Sequence, residues 1–313
     1  MSVTVSILCL AYNHGKYIRQ SLESMVNQKT DFDFEILIHD DASTDDTADI
    51  IREFQEKYPE IVKPVFQTEN QYSKGIQVQN VYNIPRVKGK YVAYCEGDDY
   101  WTDDHKLQKQ VDYMEAHPNC TLCIHRAYRI NTKGKVVGTF PSTKYTGTVS
   151  CEDVIVNGGG FCATCSIMAP AKLMKNRPEY FNILCIDYVI QVYLASCGET
   201  YCFDDIMSAY RTGVDGSWSS RMKKDNEKHI RHIERVEKMK RAFDQHTEYK
   251  YHDAVEKSLF NSQYSLCYQT GKYKQLLEEP FKSSEIARQQ PFLKKVKIFL
   301  GAYFPFVLRL LNK

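Results

Sequence analysis

The chain has no surplus of either charge: 41 Lys and Arg against 39 Asp and Glu leave a formal net charge of +2. A polyanion such as nucleic acid therefore meets no overall attraction, and any basic function has to be local. No G-x-G-x-x-G follows a strand pattern and no G-x-x-x-x-G-K-[ST] occurs. A dinucleotide-dependent oxidoreductase and a P-loop NTPase are both disfavoured on that ground. The opening MSVTV lacks the basic segment, apolar stretch and small-residue cleavage site of a secretory leader, so a cytoplasmic location is expected. The 11 cysteines are odd in number and irregularly spaced, as suits reduced, buried thiols. Cys120/Cys123 and Cys162/Cys165 form two CxxC pairs, but their separation is too long for a zinc ribbon. A strand through residues 120–124 would also point the first two thiols to opposite faces.

What the chain does have is an alternation of strand and helix patterns. At 313 residues it is long enough for one large domain and an appendage. Residues 3–10 form a continuous apolar run, expected of a strand covered on both faces. A helix over about 14–28 carries Ile18, Leu22, Met25 and Val26 on one side. A strand over 34–39 follows. Ser43-Thr44-Asp45-Asp46 then resembles a capping box before the stripe Ile50, Ile51, Phe54. Strands over 61–66 and 91–95, a helix over 103–116 and a strand over 122–128 continue the series. Further on, a strand is expected at 164–168, a helix opening at Asp187 and a short edge strand at 201–203. The fold class implied is α/β, a doubly wound, mostly parallel sheet with helices on both faces. From about residue 221 the composition turns charged and helical, giving a helical C-terminal extension.

In such sheets ligands bind beyond the carboxyl ends of the strands. Three of those ends carry polar clusters: Ala11-Tyr12-Asn13, Asp40-Asp41, and Glu96-Gly97-Asp98-Asp99. Carboxylates so close together repel one another and lose hydration when partly buried. A divalent cation, ribose hydroxyls or both would relieve that cost, which points to a metal-assisted site for a phosphorylated ligand. Oxygen ligands suit Mg2+ or Mn2+. Taken singly, each cluster also reads as an Asx turn or helix cap, the preferred reading for Asp45 and Asp46. Asp187 lies in the apolar setting Ile186-Asp187-Tyr188-Val189. Burial there would raise its pKa and suit it to a general base, while a plain helix N-cap is the equal alternative.

Five segments in order carry a resemblance. They are VSILCLAYN at 5–13, EILIHDDASTDDT at 35–47, YCEGDDYW at 94–101, Asp187-Tyr188 opening a helix, and YRTGVDGSWS at 210–219. Together they resemble the family-two glycosyltransferases with a GT-A fold, over roughly residues 3–220, of the bacterial surface-polysaccharide type. The resemblance implies transfer of a sugar from a nucleotide-diphosphate donor, UDP-linked, to a hydroxyl of a glycan or glycolipid, with inversion. It implies that Ala11, Tyr12 and Asn13 lie along the nucleotide. Asp40 would contact the base, Asp98 the ribose or phosphate side, and Asp99 the metal, with Asp187 as catalytic base. Glu96 would be a supporting residue. One departure stands out. Many relatives place a histidine shortly after the Tyr-Arg pair to assist the metal or diphosphate, and here that position is Gly213.

The expected organisation is a catalytic domain at 1–220, a helical region at 221–291 and a basic amphipathic helix at 292–313. In that last segment Phe292, Leu293, Val296, Phe299, Leu300, Tyr303 and Phe304 make one apolar stripe, with Lys294, Lys295 and Lys297 beside it. The stripe is shorter than the ~20 residues of a membrane span and contains Pro305. An anionic membrane surface on the cytoplasmic face is the expected partner, ahead of docking on the protein's own core. Two other functions fit the strand-end acids. A sugar-phosphate nucleotidyltransferase would want a more glycine-rich and basic first loop than Ala11–Lys16 supplies. A non-catalytic nucleotide-sugar scaffold would not need Asp98, Asp99 and Asp187.

Overall fold

The structure, a computed structural model, describes residues 3–141, 143–184, 187–214 and 226–307. The chain divides into two compact units, 1–220 and 221–313. The first is built on a ten-stranded sheet. Strands β1 (Val5–Ala11), β2 (Phe34–Asp40), β3 (Val62–Phe66) and β4 (Tyr91–Tyr94) pair in parallel in the order β3-β2-β1-β4. Ile7, Leu8, Cys9, Ile36 and Ile38 are almost wholly buried, because both sheet faces are covered. Helices α1 (Ile18–Val26), α2 (Thr47–Lys57) and α3 (Lys106–Ala116) supply that cover through Leu22, Met25, Ile51, Leu107 and Met114.

Beyond β4 the sheet becomes mixed. β5 (Tyr100–Trp101), β6 (Cys120–Ile130), β9 (Met168–Pro170) and β10 (Glu199–Arg211) complete the order as β4-β9-β6-β10-β5. β9 is antiparallel to β4 and β6, while β6 and β10 are parallel. β7 (Val136–Phe140) pairs β6, and β8 (Gly147–Val149) pairs β10. Helices α4 (Cys151–Asn157), α5 (Ala171–Lys175) and α6 (Asp187–Cys197) complete this unit's helices among the described residues.

Three local expectations change. The strand expected at 201–203 is a 13-residue strand inside the sheet, between β6 and β5. Its pairing with β6 shifts register between Phe203 and Ser208, and those shifts break the alternation that would have announced it. Thr164–Ser166 is a turn of 3-10 helix, and the strand begins only at Met168. The two thiols of Cys120 and Cys123 also share a side. The β6–β10 pairing steps from Cys120 directly to Leu122. The skipped Thr121 shifts the side-chain parity, and the Cys120 thiol reaches that of Cys123. Among the described residues the one group of three or more His, Cys, Asp or Glu side chains spaced to share a metal ion is Asp103, Asp104 and His105, and no cysteine joins it.

In the second unit, α7 (Asn226–His246) and α8 (His252–Gln269) pack together. The buried Lys240 ammonium donates to the Ser258 carbonyl and the Ser262 hydroxyl. The short helices α9 (Tyr273–Leu276) and α10 (Glu285–Arg288) lead to α11 (Phe292–Tyr303). The apolar stripe of α11 is divided. Ile298 and Ala302 are buried, Ile298 in a core with Tyr264 and Leu276. Phe292, Leu293, Phe299 and Tyr303 remain exposed. Lys294 and Lys297 lie over the Tyr268 ring. Leu308 to Lys313 lie outside the described residues. Among the described residues no helix is long and apolar enough to cross a membrane.

Candidate active site

Parallel pairing brings the polar ends of three strands to one edge. Ala11 is in register with Asp40, and β4 runs beside β1 so that the Gly97 amide donates to the Leu10 carbonyl. The loops after β1 and β2 are stitched together. The Asn13 side-chain oxygen accepts from the Thr44 amide at 2.8 Å, and the Asn13 amide donates to the Ser43 hydroxyl. Asn13 has a φ of 55° and Ala42 one of 61°, so both loops hold left-handed residues beside the cleft, a conformation that tertiary contacts have to maintain. Asp40 is buried and accepts from the Ser43 amide and hydroxyl. Burial raises its pKa, and the Ser43 hydrogen bonds oppose the rise. Asp41 instead receives the amides of Gln71 and Tyr72 and holds the loop after β3.

The acidic cluster after β4 separates into three roles. Glu96 accepts from the Leu10 amide at 2.9 Å. Its pKa is pushed up to about 8, first by burial and then by the charge of Asp187. Asp99 is buried; its Oδ1 accepts the Arg211 amide at 2.7 Å. Among the described residues its buried Oδ2 has no hydrogen-bond partner in normal geometry and faces the weak donor Cys165. Burial, and then Asp98, hold the Asp99 carboxyl well above the usual range. Asp98 is the more open of the two aspartates, with its Oδ2 4.0 Å from His14 Nε2.

Asp187 opens α6 and faces this cluster. Its carboxylate accepts a hydrogen bond from the Thr164 hydroxyl. Burial raises its pKa, against the pull of Thr164. Tyr210 lies among Asp99, Asp187 and Asp98, and burial followed by their charges holds its phenol protonated. Arg211 is mostly buried. Its Nε donates to the Asp98 carbonyl at 2.9 Å, its Nη2 to Gln20 at 3.1 Å, and its guanidinium lies over the Tyr17 ring.

The structure thus brings together Ala11, Tyr12, Asn13, Asp40, Asp98, Asp99 and Asp187 as one edge, with different freedom at each position. Tyr12 is exposed. The Ala11 carbonyl is occupied by the Asp41 amide, and Asn13 is occupied by the neighbouring loop. Sequence reasoning missed His14, Thr164 and the inward position of Tyr210. His14 had been read as the start of a helix that begins only at Ile18. Thr164 had been read as part of a strand. Only a tertiary contact marks either one.

The model for glycosyl transferase family 2 matches residues 6–169, just over half of the chain. The chain belongs to glycosyl transferase family 2. The resemblance carried by the five motifs is borne out. An uncharacterized protein of Mycobacterium tuberculosis is 34% identical over 220 residues, 69% of this chain and 61% of that protein. The Escherichia coli UDP-Glc:alpha-D-GlcNAc-diphosphoundecaprenol beta-1,3-glucosyltransferase WfaP is 32% identical over 165 residues, 50% of this chain and 61% of that one. This family member therefore spans about six tenths of the length of those relatives. Among solved structures, S. aureus TarS 1–349 in complex with UDP-GlcNAc has a TM-score of 0.61 at 15% identity, covering 96% of this chain and 89% of that one. This is a likeness of fold, and the fold is of the GT-A type with a helical C-terminal region.

Proposed function

We propose that this protein is an inverting glycosyltransferase that moves a sugar from a UDP-linked donor to a hydroxyl of a glycan or lipid-linked glycan. The observation that carries the reading is the convergence of Glu96, Asp98 and Asp99 with Asp187 and Tyr210 at the strand ends. UDP-GlcNAc in the TarS complex and UDP-Glc in the name of WfaP support the donor class. The diphosphoundecaprenol in that name supports a lipid-linked acceptor.

The residues fit a divalent cation. The donors are mainly carboxylate oxygens, and among the described residues the buried Asp99 Oδ2 has no strong hydrogen-bond donor of its own. The motif reading gives the ion to Asp99 alone. Because the Arg211 amide occupies Asp99 Oδ1 while Asp98 is the more exposed carboxylate, we assign the ion to the pair. Mg2+ or Mn2+ bound there would stabilise the negative charge of the departing diphosphate. Asp40 and Tyr12 would receive the base. The acceptor oxygen attacks the anomeric carbon, the bond from that carbon to the diphosphate oxygen breaks, and Asp187 takes the hydroxyl proton. Burial makes Asp187 a stronger base than a solvated carboxylate, and Thr164 fixes its direction.

Asp187→Asn should keep UDP affinity and lower turnover at least ~100-fold. Calorimetry and a sugar-transfer assay with a lipid-linked acceptor measure the two effects. Near-normal turnover would remove Asp187 from the base role. Pyrophosphate release from a nucleoside triphosphate and a sugar phosphate would favour a nucleotidyltransferase instead.

The exposed half of α11 supports a second part of the reading, that the protein sits peripherally on the cytoplasmic face of a membrane. Aromatic and aliphatic side chains exposed beside lysines are the composition of an interfacial helix.

A further inference from the structure

We propose that His14 supplies a nitrogen contact to the divalent cation, so that the imidazole and the Asp98 carboxylate hold the ion from neighbouring loops. The proposal rests on the metal-assisted donor site just described.

The main chain fixes where this ring can go. The His14 amide donates to the Thr47 hydroxyl at 2.8 Å, and its carbonyl accepts from the amides of Tyr17 and Ile18. The residue before it, Asn13, is held in its left-handed conformation by Ser43 and Thr44. The ring is thereby aimed across the gap between β1 and β4, at the acidic loop. Gly97 leaves the space it occupies. A Cβ at that position would come within 2.8 Å of both His14 Nδ1 and Ile18 Cδ1. With Nδ1 enclosed between Gly97 and Ile18, Nε2 is the nitrogen presented to Asp98.

The separation itself is informative. Nε2 and Asp98 Oδ2 are 4.0 Å apart, too far for a hydrogen bond. Two ligands each about 2.1 Å from one ion can stand up to about 4.2 Å apart. The 4.0 Å separation lies within that limit, close to the value for two ligands on opposite sides of one cation. Both side chains are mostly buried, at 17% and 15% exposure, so each keeps enough opening for a ligand to reach it. Arg211, the cation already in the cluster, cannot serve. Its Nε donates to the Asp98 carbonyl, its Nη2 to Gln20, its guanidinium lies over the Tyr17 ring, and it gives Asp99 its backbone amide. Among the described residues no lysine or arginine side chain forms an ion pair with Glu96, Asp98 or Asp99. An imidazole in an otherwise oxygen-ligated shell favours Mn2+ over Mg2+, since Mg2+ holds to hard oxygen donors and its waters.

The test uses the full chain, Mn2+ and UDP. Pulsed EPR of the Mn2+–UDP complex should show a directly bound 14N nucleus in the unsubstituted protein and none in His14→Gln. Its absence from the unsubstituted protein overturns the proposal, whatever the variants do. Calorimetry should show UDP affinity in Mn2+ falling at least ~10-fold in His14→Gln, the lower bound for losing a residue that supports a bound metal. Metal-free UDP affinity should stay unchanged. An equal loss with and without Mn2+, or no loss at all, also overturns it. Asp98→Asn separates this proposal from the reading beneath it. If Mn2+ fails to strengthen UDP binding even in the unsubstituted protein, the metal-assisted site itself is wrong. If Asp98→Asn abolishes the Mn2+ effect and His14→Gln does not, only the role of His14 falls.

Discussion

Lys106 is fully buried at the start of α3, its ammonium 4.0 Å from the centre of the Trp101 ring and, among the described residues, without a hydrogen-bond partner. Burial lowers its pKa from 10.5 to about 8. At pH 7 the amine is charged in both folded and unfolded chains, so the folded state bears the whole cost of burying the charge. As pH rises from 8 to 10.5 the folded amine loses its proton before the unfolded one, and that cost fades. The shift corresponds to about 3 kcal/mol before the attraction of the Trp101 face is counted. Lys106→Met should therefore stabilise the protein by about 1–3 kcal/mol at pH 7, with the gain shrinking toward pH 10. Urea unfolding at the two pH values checks both the sign and the trend. A variant less stable than the original at pH 7 would show that the Trp101 contact outweighs the burial.

Helix α11 makes the case at the scale of an element. Its apolar residues read as a single stripe, yet Ile298 packs with Tyr264 and Leu276 while Phe292, Leu293 and Phe299 face outward. Deleting 292–313 would therefore remove part of the second unit's core along with any membrane contact. Substituting Phe292, Leu293 and Phe299 together by Ser leaves Ile298 and Ala302 in place. That variant should keep its melting temperature and lose co-sedimentation with anionic vesicles, because the exposed apolar area is what would enter the interface. Unchanged co-sedimentation would rule out α11 as the anchor.

At the scale of the molecule, the donor site and its supports come from strand ends, loops and a helix start spread from Ala11 to Arg211, all within the first unit. A ligand that binds only this folded arrangement stabilises it by mass action, about 2.7 kcal/mol at a hundred times its dissociation constant. UDP with Mn2+ should raise the melting temperature of the first unit, and UDP-sugars tested in parallel should rank the donor. No shift with any nucleotide sugar would count against the donor site as a whole.

The sequence by itself determined the parallel half of the sheet, since continuous apolar strands separated by amphipathic helices admit few other arrangements. It also determined that Ala11, Asp40 and Asp98 meet, because parallel strands bring their carboxyl ends to the same edge. The start of α6 at Asp187 was legible for a similar local reason. Tertiary structure alone decided the rest. The length and place of β10 were hidden by register shifts. The relative depth of Asp98 and Asp99 depends on the backbone amide of Arg211, more than a hundred residues away. Thr164 beside Asp187 and His14 beside Asp98 are contacts between distant segments. Periodicity reports which face of an element is buried; it carries no information about which side chain of another element will stand opposite.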